Sequence, residues 1–215
     1  FHYLHHDFDG SFYPNCTEMS ERILAAAGSA GMTLTHLPVL YVNGGFGLSS
    51  SAEQRRFSHR GLESFMRMFE QLQTIIETSE NNRLGVAPHS LRAVNAECLH
   101  ALVSALDTET PIHIHIAEQI KEVEDSIEYL GARPVEWLYD NFEVNERWCL
   151  VHATHLDSKE IKMIANSHAV AGLCPTTEAN LGDGIFPART FLENGGRFGI
   201  GTDSQVNVSV NGELR

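Results

Sequence analysis

One apolar segment in the middle of the chain, residues 111–118 (PIHIHIAE), limits the folds that this sequence can adopt. Side chains alternate along a strand, so His113 and His115 face the same side, and Glu118 lies beyond the strand where a helical charge pattern begins. A buried strand that ends at an imidazole and a carboxylate and leads into a helix is how an α/β barrel builds an active site. His115 and Glu118 therefore predict a metal ligand beside a proton carrier. The alternative is that both histidines are ordinary core residues.

The remaining chain alternates predicted strands and helices without a linker or a low-complexity tract. Strands are predicted at residues 33–42, 83–87, 111–116, 148–151, 169–173 and 198–201. A first helix is predicted to start at Thr17 or Ser20 and to stop near Gly31, and further helices are predicted at residues 61–78, 95–106, 119–129, 134–141, 157–164 and 187–193. Repeated strand–helix units predict a parallel sheet, so the expected fold class is α/β, a (β/α)8 TIM-type barrel formed by residues 1–215 as a single partial domain. Residues 43–51 are rich in glycine and serine; since no G-K-[ST] follows, a mobile loop over a site is favoured over a phosphate-binding loop.

Composition excludes several classes of partner. The chain has 215 residues, 42% of them hydrophobic, and a net charge of -13, which argues against nucleic acid and requires any anion site to be local. No apolar run approaches the roughly twenty residues of a membrane span, so no membrane partner is expected. The four cysteines lack C-x-x-C spacing and predict reduced thiols in a cytoplasmic protein.

Chemically capable side chains recur where predicted strands end. They are His89, His115, Glu118, His152 and Asp203. Any one of them alone could be a cap or a core residue. In a barrel the carboxyl ends of the strands gather on one rim, so the set predicts an active site there.

The chain also carries longer motifs: HIAE at 115–118, LVHATH at 150–155, PTTEANLGDG at 175–184 and GTDS at 201–204. With these motifs it resembles the amidohydrolase superfamily, in its aminohydrolase branch, over nearly its whole length. Two further segments, FHYLHH at 1–6 and APHSLRAV at 87–94, are similar to the formimidoylglutamate deiminases of that branch. Those enzymes of histidine degradation convert N-formimidoyl-L-glutamate to N-formyl-L-glutamate and ammonia.

The resemblance implies a role for each residue of the predicted site. Such enzymes hold one zinc with an H-x-H pair on the first strand, a histidine on the fifth and an aspartate on the eighth, and His115 and Asp203 match the last two. Iron also suits such ligands. Glu118 would carry a proton from water to the imine nitrogen, His152 would stabilise the developing charge, and Asp203 would also take a proton. His113 is left as a structural residue.

Substrate binding is expected to depend on one arginine. Formimidoylglutamate is a small anion with two carboxylates, and Arg92, beside His89, can hold one of them with a bidentate fork. Tyr3 matches a tyrosine with which the family contacts the substrate. Arg92 could instead be a solvated residue at a helix start that pairs with Glu97 or Asp107.

The sequence departs from the family because no H-x-H pair precedes these strands. The first strand and the flanking β-sandwich are therefore expected to be missing, so the barrel is incomplete and the chain is a fragment of the enzyme. With two of four ligands it should bind zinc weakly and be inactive alone. Two alternatives remain: another zinc aminohydrolase that acts on a purine or triazine ring, and a non-catalytic barrel fragment. The oligomeric state is not encoded in a motif, and a homodimer is compatible with the sequence.

Overall fold

The computed structural model describes residues 3–79 and 81–214, and the chain divides between His113 and Ile114 into two compact units. In the first unit the helices are α1 (Glu18–Ser29), α2 (Leu62–Ile76) and α3 (Ala96–Ser104). Its strands are β1 (Leu34–His36), β2 (Val39–Leu40), β3 (Asn43–Gly45), β4 (Leu48–Ser49), β5 (Asn82–Leu84) and β6 (Ala87–Pro88), and the division falls within β7 (Ile112–Ile116).

The second unit continues the alternation of helices and strands. Its helices are α4 (Ile120–Leu130), α5 (Pro134–Asn141), α6 (Ser158–Ser167), α7 (Pro175–Leu181), α8 (Ala188–Glu193) and α9 (Val210–Glu213). Its further strands are β8 (Trp148–His152), β9 (Val170–Leu173) and β10 (Arg197–Ile200).

In the first unit, two short parallel pairs take the place of the strands predicted at residues 33–42 and 83–87. β1 pairs with β5 and β2 pairs with β6, both in parallel. Pro38 lies between β1 and β2 and has no N–H to donate, so the strand predicted at 33–42 is interrupted there. Between β5 and β6, a Cβ on Gly85 would lie 2.5 Å from Leu37 Cδ2 and 2.6 Å from the Pro111 carbonyl oxygen. Only glycine fits this close approach of neighbouring strands.

Helix α2 supplies much of the apolar core of the first unit. The helix predicted at 61–78 is confirmed, and its buried side chains recur at helical spacing: Phe65, Met68, Phe69, Leu72 and Ile76. The predicted loop at 43–51 contains a feature that was not expected, since β3 and β4 pair there as an antiparallel hairpin.

The second unit is built on a sheet with the strand order β10-β9-β8-β7, in which β8 pairs with β9 and β9 with β10 in parallel. Helices separate successive strands along the chain, as a parallel sheet requires. Ile114, Ile116 and Leu150 are completely or almost completely buried, whereas all four residues of β10 are exposed. The fold class is therefore α/β with parallel sheets, as predicted.

Helix ends in the second unit follow the chemistry of capping. Asp157 accepts hydrogen bonds from the N–H groups of Lys159 and Glu160 and begins α6, as predicted. Helix α7 was not predicted; Pro175 is its first residue and Gly182, at φ 73°, ends it. Among the described helices, none combines the length and the apolar character that a membrane-spanning helix needs.

Candidate active site

Three predicted site residues of the second unit come together at the ends of neighbouring strands. His115 is on β7, His152 ends β8, and Asp203 follows β10. One ligand atom from each of these side chains lies within 4.8 Å of the others. His115 is 7% and His152 1% exposed. Imidazole and carboxylate groups in this arrangement are a donor set that suits zinc or iron.

The backbone bends sharply at these strand ends. Ala117, His152, Ala153 and Asp203 have φ values of 49°, 68°, 49° and 48°, in the left-handed region. Residues other than glycine are uncommon there, and such residues cluster at functional sites, because each costs on the order of 1–3 kcal/mol. The N–H of Ala153 donates to the carbonyl oxygen of Ile116 at 3.0 Å, which ties the end of β8 to the end of β7.

Glu118 faces His152 from the turn after β7. Its Oε1 lies 3.6 Å from His152 Nε2, and its side chain is 15% exposed. The turn is held by Glu122, a buried carboxylate that accepts hydrogen bonds from the N–H groups of Ala117 and Glu118, each at 3.1 Å. Sequence reasoning missed Glu122, although an acidic residue in the first turn of α4 is a signal for such a contact.

The opposite edge of the His152 ring contacts Glu178 on α7. His152 Nδ1 lies 3.1 Å from Glu178 Oε1, and the same oxygen accepts the N–H of Cys174 at 2.8 Å. Glu178 is 6% exposed. The PTTEANLGDG motif contains this residue, but no local pattern gave it a role. His152, Cys174 and Glu178 form a second group of potential ligand atoms within 4.8 Å of one another.

The surroundings of His152 raise its pKa. Burial by itself lowers the pKa of His152, but the hydrogen bond to Glu178 and the charges of Glu118 and Asp203 outweigh it, so the pKa is raised above its usual value. The His115 and His152 rings are stacked, with centroids 5.5 Å apart. The site thus combines potential metal ligands with two groups that can exchange a proton, Glu118 and His152.

The residues predicted to bind the substrate, Tyr3, His89 and Arg92, lie in the first unit, and each is close to Tyr41. The Tyr3 ring lies edge-on to Phe57 at 5.3 Å and to His89 at 6.0 Å, and the His89 and Tyr41 ring centroids are 4.6 Å apart. Burial raises the pKa of Tyr41, while the charge of Arg92 lowers it, so Arg92 lies close enough to act on this phenol. Sequence reasoning missed Tyr41 and Phe57, whose aromatic character alone indicates only core packing.

Among the described residues, His113 belongs to neither group of potential metal ligands. Burial lowers its pKa to about 4, which keeps the imidazole neutral at physiological pH.

Comparison with known proteins identifies the family. The Amidohydrolase family profile matches residues 15–215. The chain is 52% identical over 216 residues to the formimidoylglutamate deiminase of Pseudomonas aeruginosa. This alignment covers 100% of this chain and 47% of that protein. It is 32% identical over 137 residues to the 5-methylthioadenosine/S-adenosylhomocysteine deaminase of Natronomonas pharaonis, covering 62% of this chain and 32% of that protein. The chain thus spans about half the length, or less, of these curated relatives.

Solved structures agree with this match. An amidohydrolase from Brucella melitensis superposes with a TM-score of 0.96 at 54% identity, covering 100% of this chain and 48% of that one. A zinc-bound adenosine deaminase from Xanthomonas campestris gives a TM-score of 0.71 at 23% identity, over 83% of this chain and 38% of that one, which shows a shared fold alone. With the profile matched over most of its length and its full length aligned to a curated relative, the chain belongs to the amidohydrolase family.

Proposed function

We propose that the protein containing this chain hydrolyses N-formimidoyl-L-glutamate to N-formyl-L-glutamate and ammonia. The observation that carries the proposal is the cluster of His115, His152 and Asp203 beside Glu118. It occurs in a chain that is 52% identical over its whole length to a formimidoylglutamate deiminase. In this reaction water adds to the imine carbon, a C–O bond forms, and the C–N bond breaks to release ammonia.

We infer that His115 and Asp203 hold one metal ion, zinc or iron. When bound, such an ion supplies Lewis-acid activation of a water molecule at neutral pH. The relatives are about twice as long as this chain, and the family's H-x-H pair would come from a further part of the protein, in a complete (β/α)8 barrel. The 215 residues alone are expected to bind the metal weakly and to be inactive.

The chain's own residues then account for the movement of protons. Glu118 accepts a proton from the attacking water and delivers it to the imine nitrogen, which becomes a better leaving group as it gains charge. His152, whose pKa is raised by the neighbouring carboxylates, can bind a proton at Nε2 and so stabilise negative charge that develops on the attacking oxygen. Asp203 accepts the second proton from the same oxygen as the tetrahedral carbon collapses to the formyl product, and this proton passes to the departing nitrogen, which leaves as ammonia.

Recognition of the substrate is assigned to Arg92, His89 and Tyr3. Both ends of N-formimidoyl-L-glutamate that do not react are carboxylates, and a chain of net charge -13 needs a fixed cation to attract them. A guanidinium binds a carboxylate through two parallel hydrogen bonds. Tyr3 and His89 lie edge-on to one another at 6.0 Å, and their polar edges are suited to orient the bound acid.

The test is a comparison of substrates with the full-length, metal-loaded protein. Ammonia release is measured with N-formimidoyl-L-glutamate, with 5-methylthioadenosine and with an amino-substituted triazine. The expected result is a kcat/KM for formimidoylglutamate at least about 100-fold above that for either ring compound. A faster reaction with a purine or a triazine would instead establish a ring-deaminating enzyme, and no turnover with any of them would support a non-catalytic role.

The remaining partners are proposed from charge and composition. A small anionic substrate is the expected ligand, and the net charge of -13 disfavours nucleic acid and anionic membrane surfaces. Wide cysteine spacing favours a cytoplasmic location. A homodimer is proposed for the full-length protein, and sedimentation velocity at several concentrations will show whether it forms.

A further inference from the structure

We propose that Glu178 is a positioning residue that keeps the proton of the His152 ring on Nδ1, so that Nε2 is the ring atom that works in the reaction. The inference rests on the proposed function only for the role of His152 Nε2 in the reaction. The orientation of the ring itself can be tested without any substrate.

The first argument comes from the hydrogen bonds around one carboxylate oxygen. Glu178 Oε1 accepts the backbone N–H of Cys174 at 2.8 Å and lies 3.1 Å from His152 Nδ1. A backbone N–H can only donate, and an ionised carboxylate can only accept. The ring nitrogen that contacts this oxygen must therefore be the donor. The neutral ring then carries its one proton on Nδ1.

The second argument is the direction of the other ring nitrogen. His152 Nε2 lies 3.6 Å from Glu118 Oε1, on the side of the proposed proton carrier. His152 is 1% and Glu178 6% exposed, so water has little access to compete for the Nδ1 contact. With Nδ1 occupied by Glu178, only Nε2 is left to exchange a proton or a hydrogen bond with reacting groups.

The third argument is that Glu178 is itself held in place. The N–H of Glu178 donates to the Cys174 carbonyl oxygen at 2.9 Å, within the first turn of α7. The neighbouring Thr177 Oγ1 donates to the Thr202 carbonyl oxygen at 3.1 Å and lies 2.8 Å from Ser204 Oγ. Helix α7 thus fixes the acceptor for His152 and contacts both residues that flank Asp203.

A purely structural role for Glu178 makes a different prediction. If the carboxylate serves only to satisfy the buried N–H of Cys174, its loss lowers stability but leaves the proton on the His152 ring unchanged. A positioning role requires that the tautomer and kcat change together, because a ring with its proton on Nε2 cannot accept there.

The experiment uses the full-length, metal-loaded protein labelled with 15N-histidine. Two-dimensional 1H–15N spectra report which ring nitrogen of His152 is protonated, with the signals assigned by their loss in His152→Gln. The variants are Glu178→Ala, Glu178→Leu and Glu178→Gln. Leucine fills the space without accepting a hydrogen bond, and serves if the alanine variant does not fold. The amide oxygen of glutamine can still accept both bonds.

We expect the parent and Glu178→Gln to show a neutral His152 ring with its proton on Nδ1. Glu178→Ala and Glu178→Leu should show a mixture of the two tautomers. The non-accepting variants should lower kcat by about 10- to 1000-fold with KM within about 3-fold of the parent, and glutamine should recover at least about 10-fold of that loss. The matched control is Glu213→Gln. Glu213 is also a buried carboxylate and accepts from Thr176 on α7, but its replacement should change neither the tautomer nor kcat.

Two results would overturn the proposal. One is that Glu178→Ala and Glu178→Leu keep the parent's tautomer of His152, and the other is that Glu178→Gln loses as much kcat as Glu178→Ala. The outcome is separable from that of the proposed function. If the parent does not hydrolyse formimidoylglutamate, the spectra still decide the role of Glu178. If the parent is active and Glu178→Ala equals it, the proposed function stands and the positioning role fails.

Discussion

Glu118 is the residue whose replacement should separate proton transfer from metal binding. Its carboxylate lies 3.6 Å from His152 and outside the pair that would hold the metal, His115 and Asp203. In the full-length protein, Glu118→Gln keeps the shape of the side chain but cannot carry the proton, so kcat should fall by at least about 100-fold. Metal content, measured by elemental analysis, should equal that of the parent.

The control for this change is Glu124→Gln on the exposed side of α4, which should leave kcat unchanged. Asp203→Asn should lower both turnover and metal content, because it removes charge from a ligand. A Glu118→Gln variant that keeps kcat within a few-fold of the parent would contradict the proton-carrier role.

Arg92 should distinguish a deiminase of an acidic substrate from an enzyme that acts on rings. Arg92→Met removes the charge and keeps much of the length, and kcat/KM for formimidoylglutamate should fall by about 10- to 1000-fold, a loss of roughly 1.5–4 kcal/mol. Formimidoyl compounds without carboxylates should lose little further activity. The measurement compares both substrates in both proteins, with the exposed Arg83→Met as the control.

Equal losses on the charged and the uncharged substrate would mean that Arg92 supports the surrounding structure without contacting a carboxylate. The binding role of Tyr3 and His89 would then lack its main support.

At the level of single residues, the sequence indicated the strand-end groups but not the residues that hold them. His115, Glu118, His152 and Asp203 were predictable because each lies at or just beyond the end of a short apolar strand. Glu122 and Glu178 could not be assigned, since each acts through a contact that depends on how a helix returns to the sheet. Their local signals, acids in the first turn of a helix, also occur at many exposed helix starts.

At the level of elements, long periodic segments were predicted more accurately than short ones. Helices α2 and α6 lie where the apolar spacing and the Asp157 cap indicated. The strand at 33–42 is interrupted at Pro38, and the hairpin of β3 and β4 was missed because glycine-rich sequence has little strand propensity. Helix α7 was missed because its threonines favour a helix weakly, so only the Pro175 and Gly182 boundaries indicated it.

The end of α6 offers an element-level prediction. His168 is an exposed residue with φ 64°, a left-handed conformation that glycine adopts without a steric cost. His168→Gly should raise the free energy of unfolding by about 0.5–1 kcal/mol. The matched change at the end of α1, Ala30→Gly, should not, because Ala30 has φ -83°. Urea unfolding of both variants checks the difference, and equal effects would contradict it.

Part of the acid sensitivity of the protein should come from one buried histidine, His59. Burial, with a smaller effect of His6, lowers the pKa of His59 to about 3, and the ring packs 5.0 Å from His5 and 5.3 Å from His6. A folded-state pKa below the unfolded value of about 6.5 means that the neutral ring favours folding above that pH. This contribution, up to about 5 kcal/mol, is lost as the pH falls from about 6.5 towards 3.

The expected result is therefore a weaker pH dependence in His59→Leu. Its unfolding free energy should fall less than that of the parent between pH 7 and pH 4, measured by urea unfolding at each pH. The exposed His100→Gln should retain the parent's pH dependence. If His59→Leu loses as much stability as the parent over this range, other groups cause the acid sensitivity.

The exposed strand β10 has a practical consequence for work with this chain. It is the edge of the described sheet, and its apolar residues Phe198 and Ile200 are 44% and 39% exposed. An apolar edge strand recruits strands from other molecules, so these 215 residues expressed alone should form oligomers that grow with concentration. Phe198→Lys should reduce that growth in light scattering, since a lysine on an edge strand opposes pairing, and so provide a form of the chain that can be purified.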